Sequence, residues 1–117
     1  SEPTVVTNAK RFIREHLDEK LTLEEISKAV NVSPFYFCKV FKQATGMTFT
    51  EYVNRQRVEK AKAELLKPSA TVTEVAFNVG YQSLSQFNRS FLRYAGEAPT
   101  QYRKHMSEGA ITDARVA

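Results

Sequence analysis

Apolar positions in this chain recur at helical rather than strand spacing. Val5, Ala9, Phe12, Ile13 and Leu17 fall three and four residues apart and stop at the charged cluster Asp18, Glu19, Lys20, which predicts a first amphipathic helix. Thr22 and Glu25 form a capping-box pair ahead of Leu23, Ile26, Ala29 and Val30, so a short second helix should end near Asn31. Ser33 then caps a third helix with Pro34 at its first position, where the missing amide costs nothing, and Gly46 supplies the left-handed residue that ends it. Thr48 and Glu51 open the longest helix, which carries Tyr52, Val53, Val58, Ala61, Leu65 and Leu66 until Pro68 forbids continuation. Thr71 with Glu74 and Ser83 with Gln86 begin two more helices, ending at Gly80 and Gly96, and a short last helix should begin at Pro99. Residues 1–4 and 107–117 lack periodicity and are expected to fray.

The same order occurs twice. Ile26 answers to Val75 and Val32 to Tyr81 at an offset of 49, whereas Ser33/Ser83, Phe37/Phe87, Phe41/Phe91, Gly46/Gly96 and Tyr52/Tyr102 agree at an offset of 50. One residue was therefore inserted in the second turn. Two copies are too few for a solenoid, so the expected fold class is all-α with seven helices in two helix-turn-helix subdomains joined by a long linker helix. The expected boundaries are a frayed N-terminus (1–4), a first subdomain (5–48), the linker helix (49–67), a second subdomain (68–106) and a flexible tail (107–117). From Thr50 to Leu66 the long helix spans about 25 Å at 1.5 Å per residue and would act as a rigid spacer.

The third helix of each copy has two faces. Phe37, Val40, Phe41 and Ala44 gather on a core side, while Phe35, Cys38, Lys39 and Lys42 gather opposite. In the second copy Phe87, Phe91 and Tyr94 form the core side and Ser85, Asn88, Arg89 and Leu92 the outward stripe, with Leu84 between the faces. The outward groups suit base edges in a DNA major groove: Arg89 and Lys39 match guanine O6 and N7, Asn88 matches adenine N6 and N7, and Phe35 can meet a thymine methyl. Phosphate contacts are expected at the helix N-termini beginning with Ser33 and Ser83, assisted by Lys42, Gln82 and Arg93. If both helices enter successive major grooves, their centres must lie near the ~34 Å helical repeat, or the DNA must bend. The predicted site is about 20 base pairs long and asymmetric, because the stripes differ.

Charge strengthens this picture. Seventeen Lys and Arg against 13 Asp and Glu give a net charge of +4, which suits a polyanion. No acid occurs from Ile26 to Thr50 or from Val75 to Gly96, so both helix-turn-helix windows avoid repelling phosphate. With 4 Gly and 4 Pro the chain has too few turn residues for a sandwich or barrel, and its lone Cys38 excludes an internal disulfide and fits a reducing compartment. Apolar runs of about four residues fall far short of the ~18 needed for a membrane span, and the expected location is cytoplasmic. His16 and His105 stand alone, and neither a Gly-rich phosphate loop nor paired Cys/His ligand spacing occurs. No enzyme activity, catalytic residue, cofactor or metal is expected. A protein-interaction module is the alternative, resting on the mixed face of Glu59, Lys60, Lys62 and Glu64, which reads more simply as a solvated helix surface.

The run Val72, Glu74, Val75, Ala76, Gly80, Tyr81, Ser83, Phe87, Arg89, Phe91, Gly96, Pro99, Tyr102 and Arg103 resembles the signature of the AraC/XylS family of bacterial transcription regulators. Weaker likeness extends back through Arg57, Ala61, Gly46, Phe41, Ser33 and Leu23, so about Val5 to His105 is covered. The resemblance implies seven helices, two helix-turn-helix units, binding to double-stranded promoter DNA, and contact with RNA polymerase. It implies base contacts at Phe35, Cys38 and Lys39 in the first unit and at Leu84, Ser85, Asn88 and Arg89 in the second. Two positions depart: Leu92 stands where many members have a basic residue, and Phe49 where the counterpart of Pro99 is common. Most members carry this domain behind a sensing or dimerisation domain. A chain starting at Ser1 is accordingly expected to be a monomeric fragment of a bacterial, cytoplasmic regulator that dimerises through the missing domain.

Overall fold

The computed structural model describes residues 1–116, with side chains described through residue 109. Its described residues form seven helices and no strand: α1 (Thr4–Glu15), α2 (Leu23–Ala29), α3 (Pro34–Thr45), α4 (Phe49–Leu65), α5 (Val72–Asn78), α6 (Leu84–Ala95) and α7 (Pro99–Val116). Five of them start where a hydroxyl oxygen satisfies an otherwise free amide. Thr22, Thr48 and Thr71 accept from the amides of Glu25, Glu51 and Glu74 at 3.1 Å, and Ser33 and Ser83 from those of Tyr36 and Gln86 at 3.2 Å. α7 uses the reverse arrangement: Ala98 has no oxygen to offer, and the Gln101 side chain accepts the Ala98 amide at 3.4 Å. Gly46 and Gly96 end α3 and α6 with φ of +75° and +84°, the left-handed conformation that a side chain would strain.

The inserted residue can be placed. Val32 donates its amide to the Ser27 carbonyl and Tyr81 donates to Ala76, each at 3.0 Å, so the two turns match up to these residues. Ser33 follows Val32 directly, whereas Gln82 lies between Tyr81 and Ser83. Gln82 is therefore the extra residue.

The chain divides into two compact units, Ser1–Gln56 and Arg57–Ala117. In the first, Val6, Ala9, Ile13, Leu17, Ile26, Phe37, Phe41 and Val53 form the core. In the second, Val58, Ala61, Leu65, Val75, Ala76, Val79, Tyr81, Phe87 and Phe91 do so. The aromatic skeleton repeats with the sequence: Phe37–Phe41 and Phe41–Tyr52 have ring centres 5.3 and 5.2 Å apart, and Phe87–Phe91 and Phe91–Tyr102 both 5.6 Å. The units differ in what covers the first phenylalanine. Phe49 meets Phe37 edge-on at 5.9 Å, while Tyr81 meets Phe87 edge-on at 5.5 Å. Phe49 thus provides an aromatic edge that the second unit obtains from its turn, which explains why a ring can replace the counterpart of Pro99.

Several boundaries differ from those expected. The stretch 49–67 is no separate linker: α4 lends Val53 to the first core and Val58, Ala61 and Leu65 to the second. The frayed start (1–4) is instead tethered, since the Glu2 carboxylate accepts from the Thr7 hydroxyl at 2.8 Å and pairs with Lys10. Those bonds, Lys10 first and Thr7 second, hold the Glu2 carboxyl below its ordinary pKa. Apolar periodicity is blind to such polar ties. The expected tail (107–117) is helical through Val116, because no proline follows Pro99 and Gly109 costs a helix only about 1 kcal/mol. The tail's side chains beyond residue 109, and Ala117 itself, lie outside the described residues. Ala44, expected on the core side of α3, is exposed, as the buried stripe there narrows to Phe37 and Phe41 with Val40 half-buried.

Candidate nucleic-acid interface

Burial of Phe37 and Phe41 fixes which way α3 faces, and the same holds for Phe87 and Phe91 in α6. The opposite stripes consequently stand in solvent. Phe35, Cys38, Lys39 and Lys42 on α3 and Leu84, Ser85, Asn88, Arg89, Leu92 and Arg93 on α6 are all exposed, as are Ser33 and Gln82 in the turns. Ser83 is half-buried. Each unit by itself brings its expected contact residues onto one surface.

Their polar groups differ in availability. The Ser33 and Ser83 hydroxyls are engaged as helix caps, so an anion at either N-terminus would meet backbone amides rather than these oxygens. Pro34 leaves α3 one amide poorer there than α6, which has Leu84 in that position. Lys42 donates to the Gly46 carbonyl at 3.2 Å, capping its own helix, and the Arg93 guanidinium sits 5.4 Å from the Tyr94 ring centre. Among the described residues, no acid pairs with Lys39 or Arg89. Three basic groups on and just beyond α4 are matched instead: Arg55 with Glu51 at 3.6 Å, Lys62 with Glu59 at 3.0 Å and Lys67 with Glu64 at 3.1 Å. The face of α4 considered for partner binding therefore carries its own ion pairs, as a solvated helix surface does.

Two features escaped the sequence reading. Beside α3 an open groove of about 400 Å³ is lined by Phe35, Cys38, Lys39, Lys42, Thr48 and Phe49. Phe49, which lines it, also packs edge-on with Phe37, a contact that no spacing rule reports. Arg103, known only as a signature residue, donates Nε to the Leu65 carbonyl at 2.9 Å and a terminal nitrogen to the Ala70 carbonyl, joining α7 to the end of α4 and the loop behind it. The histidines are not solitary: Nδ1 of His16 lies 2.8 Å from Glu19 and that of His105 2.6 Å from Glu97. Tyr81 lies in the second core with Tyr102 packed against it, the Arg57 guanidinium is 5.5 Å from the Tyr81 ring centre, and burial raises the Tyr81 pKa. Among the described residues no three His, Cys, Asp or Glu side chains gather where a metal could be held, and no helix is long and apolar enough to cross a membrane.

A family model described as a helix-turn-helix domain matches residues 26–105. The regulatory protein PocR of Salmonella typhimurium is 34% identical over 102 residues, covering 87% of this chain and 34% of that protein, so the chain spans about a third of this relative's length. The C-terminal domain of AraT, a response regulator from Geobacillus stearothermophilus, is 33% identical with a TM-score of 0.85, covering 89% of this chain and 87% of that one. The DNA-binding domain of AdpA, a global transcriptional factor solved in complex with a target DNA, is 28% identical with a TM-score of 0.81, covering 90% and 93%. With two capped helix-turn-helix units, matching outward stripes and these relatives, the chain belongs to the AraC/XylS family as a helix-turn-helix DNA-binding domain of a transcription regulator.

Proposed function

We propose that this domain binds double-stranded promoter DNA by inserting α3 and α6 into successive major grooves, and that the regulator it serves contacts RNA polymerase and activates transcription. Phe35, Cys38 and Lys39 meet base edges from the first unit, and Leu84, Ser85, Asn88 and Arg89 from the second. Ser33, Lys42, Gln82, Ser83 and Arg93 hold phosphates, the serines through the helix ends that they cap. A domain carrying two unlike reading helices recognises an asymmetric site of about 20 base pairs as a monomer, while sensing and dimerisation fall to another domain of the same cytoplasmic regulator. The observation that carries this reading is the pair of corresponding solvent-facing stripes, each with a basic group, Lys39 or Arg89, that no described acid neutralises.

Selection of bound duplexes from a random pool tests it, followed by binding across a salt series. Specific binding should weaken with salt along a log–log slope of about −0.9 per phosphate neutralised. On the selected duplex, Arg89→Ala should cost about 1–3 kcal/mol and relax preference at one base position, whereas Lys42→Ala should weaken all duplexes alike. Retention that ignores salt, or equal losses on all DNA from both variants, would sink the assignment.

A further inference from the structure

We infer that the first unit recognises thymine chiefly through its methyl group, received in the groove beside α3, an inference that rests on the DNA-binding reading above. The groove is lined mainly by apolar surface. Phe35, one of the lining residues, is 82% exposed, an unusual cost for so large a ring in water. Phe49 in the lining packs edge-on with Phe37 at 5.9 Å, and Cys38 adds a small apolar group. Thr48 brings a hydroxyl, but that oxygen already accepts the Glu51 amide. Lys39 and Lys42 also line the groove, where their methylene stems can add apolar surface while their ammonium groups stay polar.

Apart from Lys39, which can reach guanine as a point donor, none of these six residues offers the planar pair of hydrogen-bonding groups that reads guanine or adenine. Their counterparts fifty positions on do: Cys38 corresponds to Asn88 and Lys39 to Arg89, while Phe35 corresponds to Ser85 and Phe49 to Pro99. The duplication has thus left one unit with hydrogen-bonding readers and the other with an apolar receptor. In the major groove the one apolar group a base pair presents is the thymine methyl. A rim of positive charge within an acid-free window selects duplex DNA over an apolar peptide as its carrier.

The test replaces each thymine of the selected duplex in turn with deoxyuridine, which keeps every hydrogen-bonding group and lacks only the methyl. One or two positions in one half of the site should each lose about three- to fivefold in affinity. Phe35→Ala should abolish that difference, so that thymine and uracil duplexes bind alike. Its folding is checked by an unchanged helical circular dichroism spectrum, as expected for a ring with so little burial. Specific binding that is indifferent to every uracil, or a uracil penalty that survives Phe35→Ala, overturns the inference while leaving DNA recognition standing. Failure to bind any duplex would instead overturn the reading on which it rests.

Discussion

Phe91→Ala should destabilise the protein by about 3–5 kcal/mol, the range for emptying a fully enclosed aromatic site. Phe91 has no exposed surface and packs between Phe87 and Tyr102, each 5.6 Å away between ring centres. Alanine removes the transfer energy of the ring and leaves a cavity that these neighbours, fixed on α6 and α7, cannot collapse to fill. A loss of that size is a large part of the 5–15 kcal/mol that holds a typical domain together. Phe35→Ala is the matched control: the same truncation, on the opposite side of a recognition helix, from a ring 82% exposed. Urea titrations followed by circular dichroism should separate the two variants by several kcal/mol. Equal midpoints would mean that the inward and outward faces of α3 and α6 have been misassigned.

Arg103→Leu should cost about 2–4 kcal/mol, although it removes no large apolar contact. The guanidinium serves two carbonyls at once, Leu65 at the C-terminal end of α4 and Ala70 in the loop before α5. A helix end leaves its last carbonyls without intrahelical donors, so the arginine supplies a partner that leucine cannot, and the half-buried oxygens lose their bonds. Arg103→Lys keeps the charge but not the planar fork, and should recover only part of the loss. Thermal melts of the three proteins check this order. Leucine and lysine variants that both melt within a degree of the parent would show the link to be dispensable.

The legibility of this fold followed its local chemistry. Short-range caps such as Thr22 with Glu25 and Ser83 with Gln86 are set by neighbours three residues apart, and the helix starts they marked are those observed. The repeat located α3 and α6 and even the presence of an extra residue in the second turn, because equal spacing of Phe37/Phe41 and Phe87/Phe91 reflects equal packing. What stayed hidden depends on contacts between residues distant in sequence or on polar ties without periodicity. Arg103 reaches carbonyls more than thirty residues away, Glu2 is tethered by Thr7 and Lys10, and the groove is lined by Phe49, which packs on Phe37. The seventh helix outran its expected end for a related reason, since a helix without an apolar stripe or a stop signal leaves little trace in a periodicity search.

Amide chemical-shift mapping of the ¹⁵N-labelled domain, titrated with its selected duplex, bears most directly on the claim that both recognition helices engage DNA. The largest perturbations are expected in two separate clusters, Ser33 to Lys42 and Gln82 to Arg93, with α1 little changed. Perturbations centred on α1 or on the charged face of α4, with α3 and α6 silent, would contradict it.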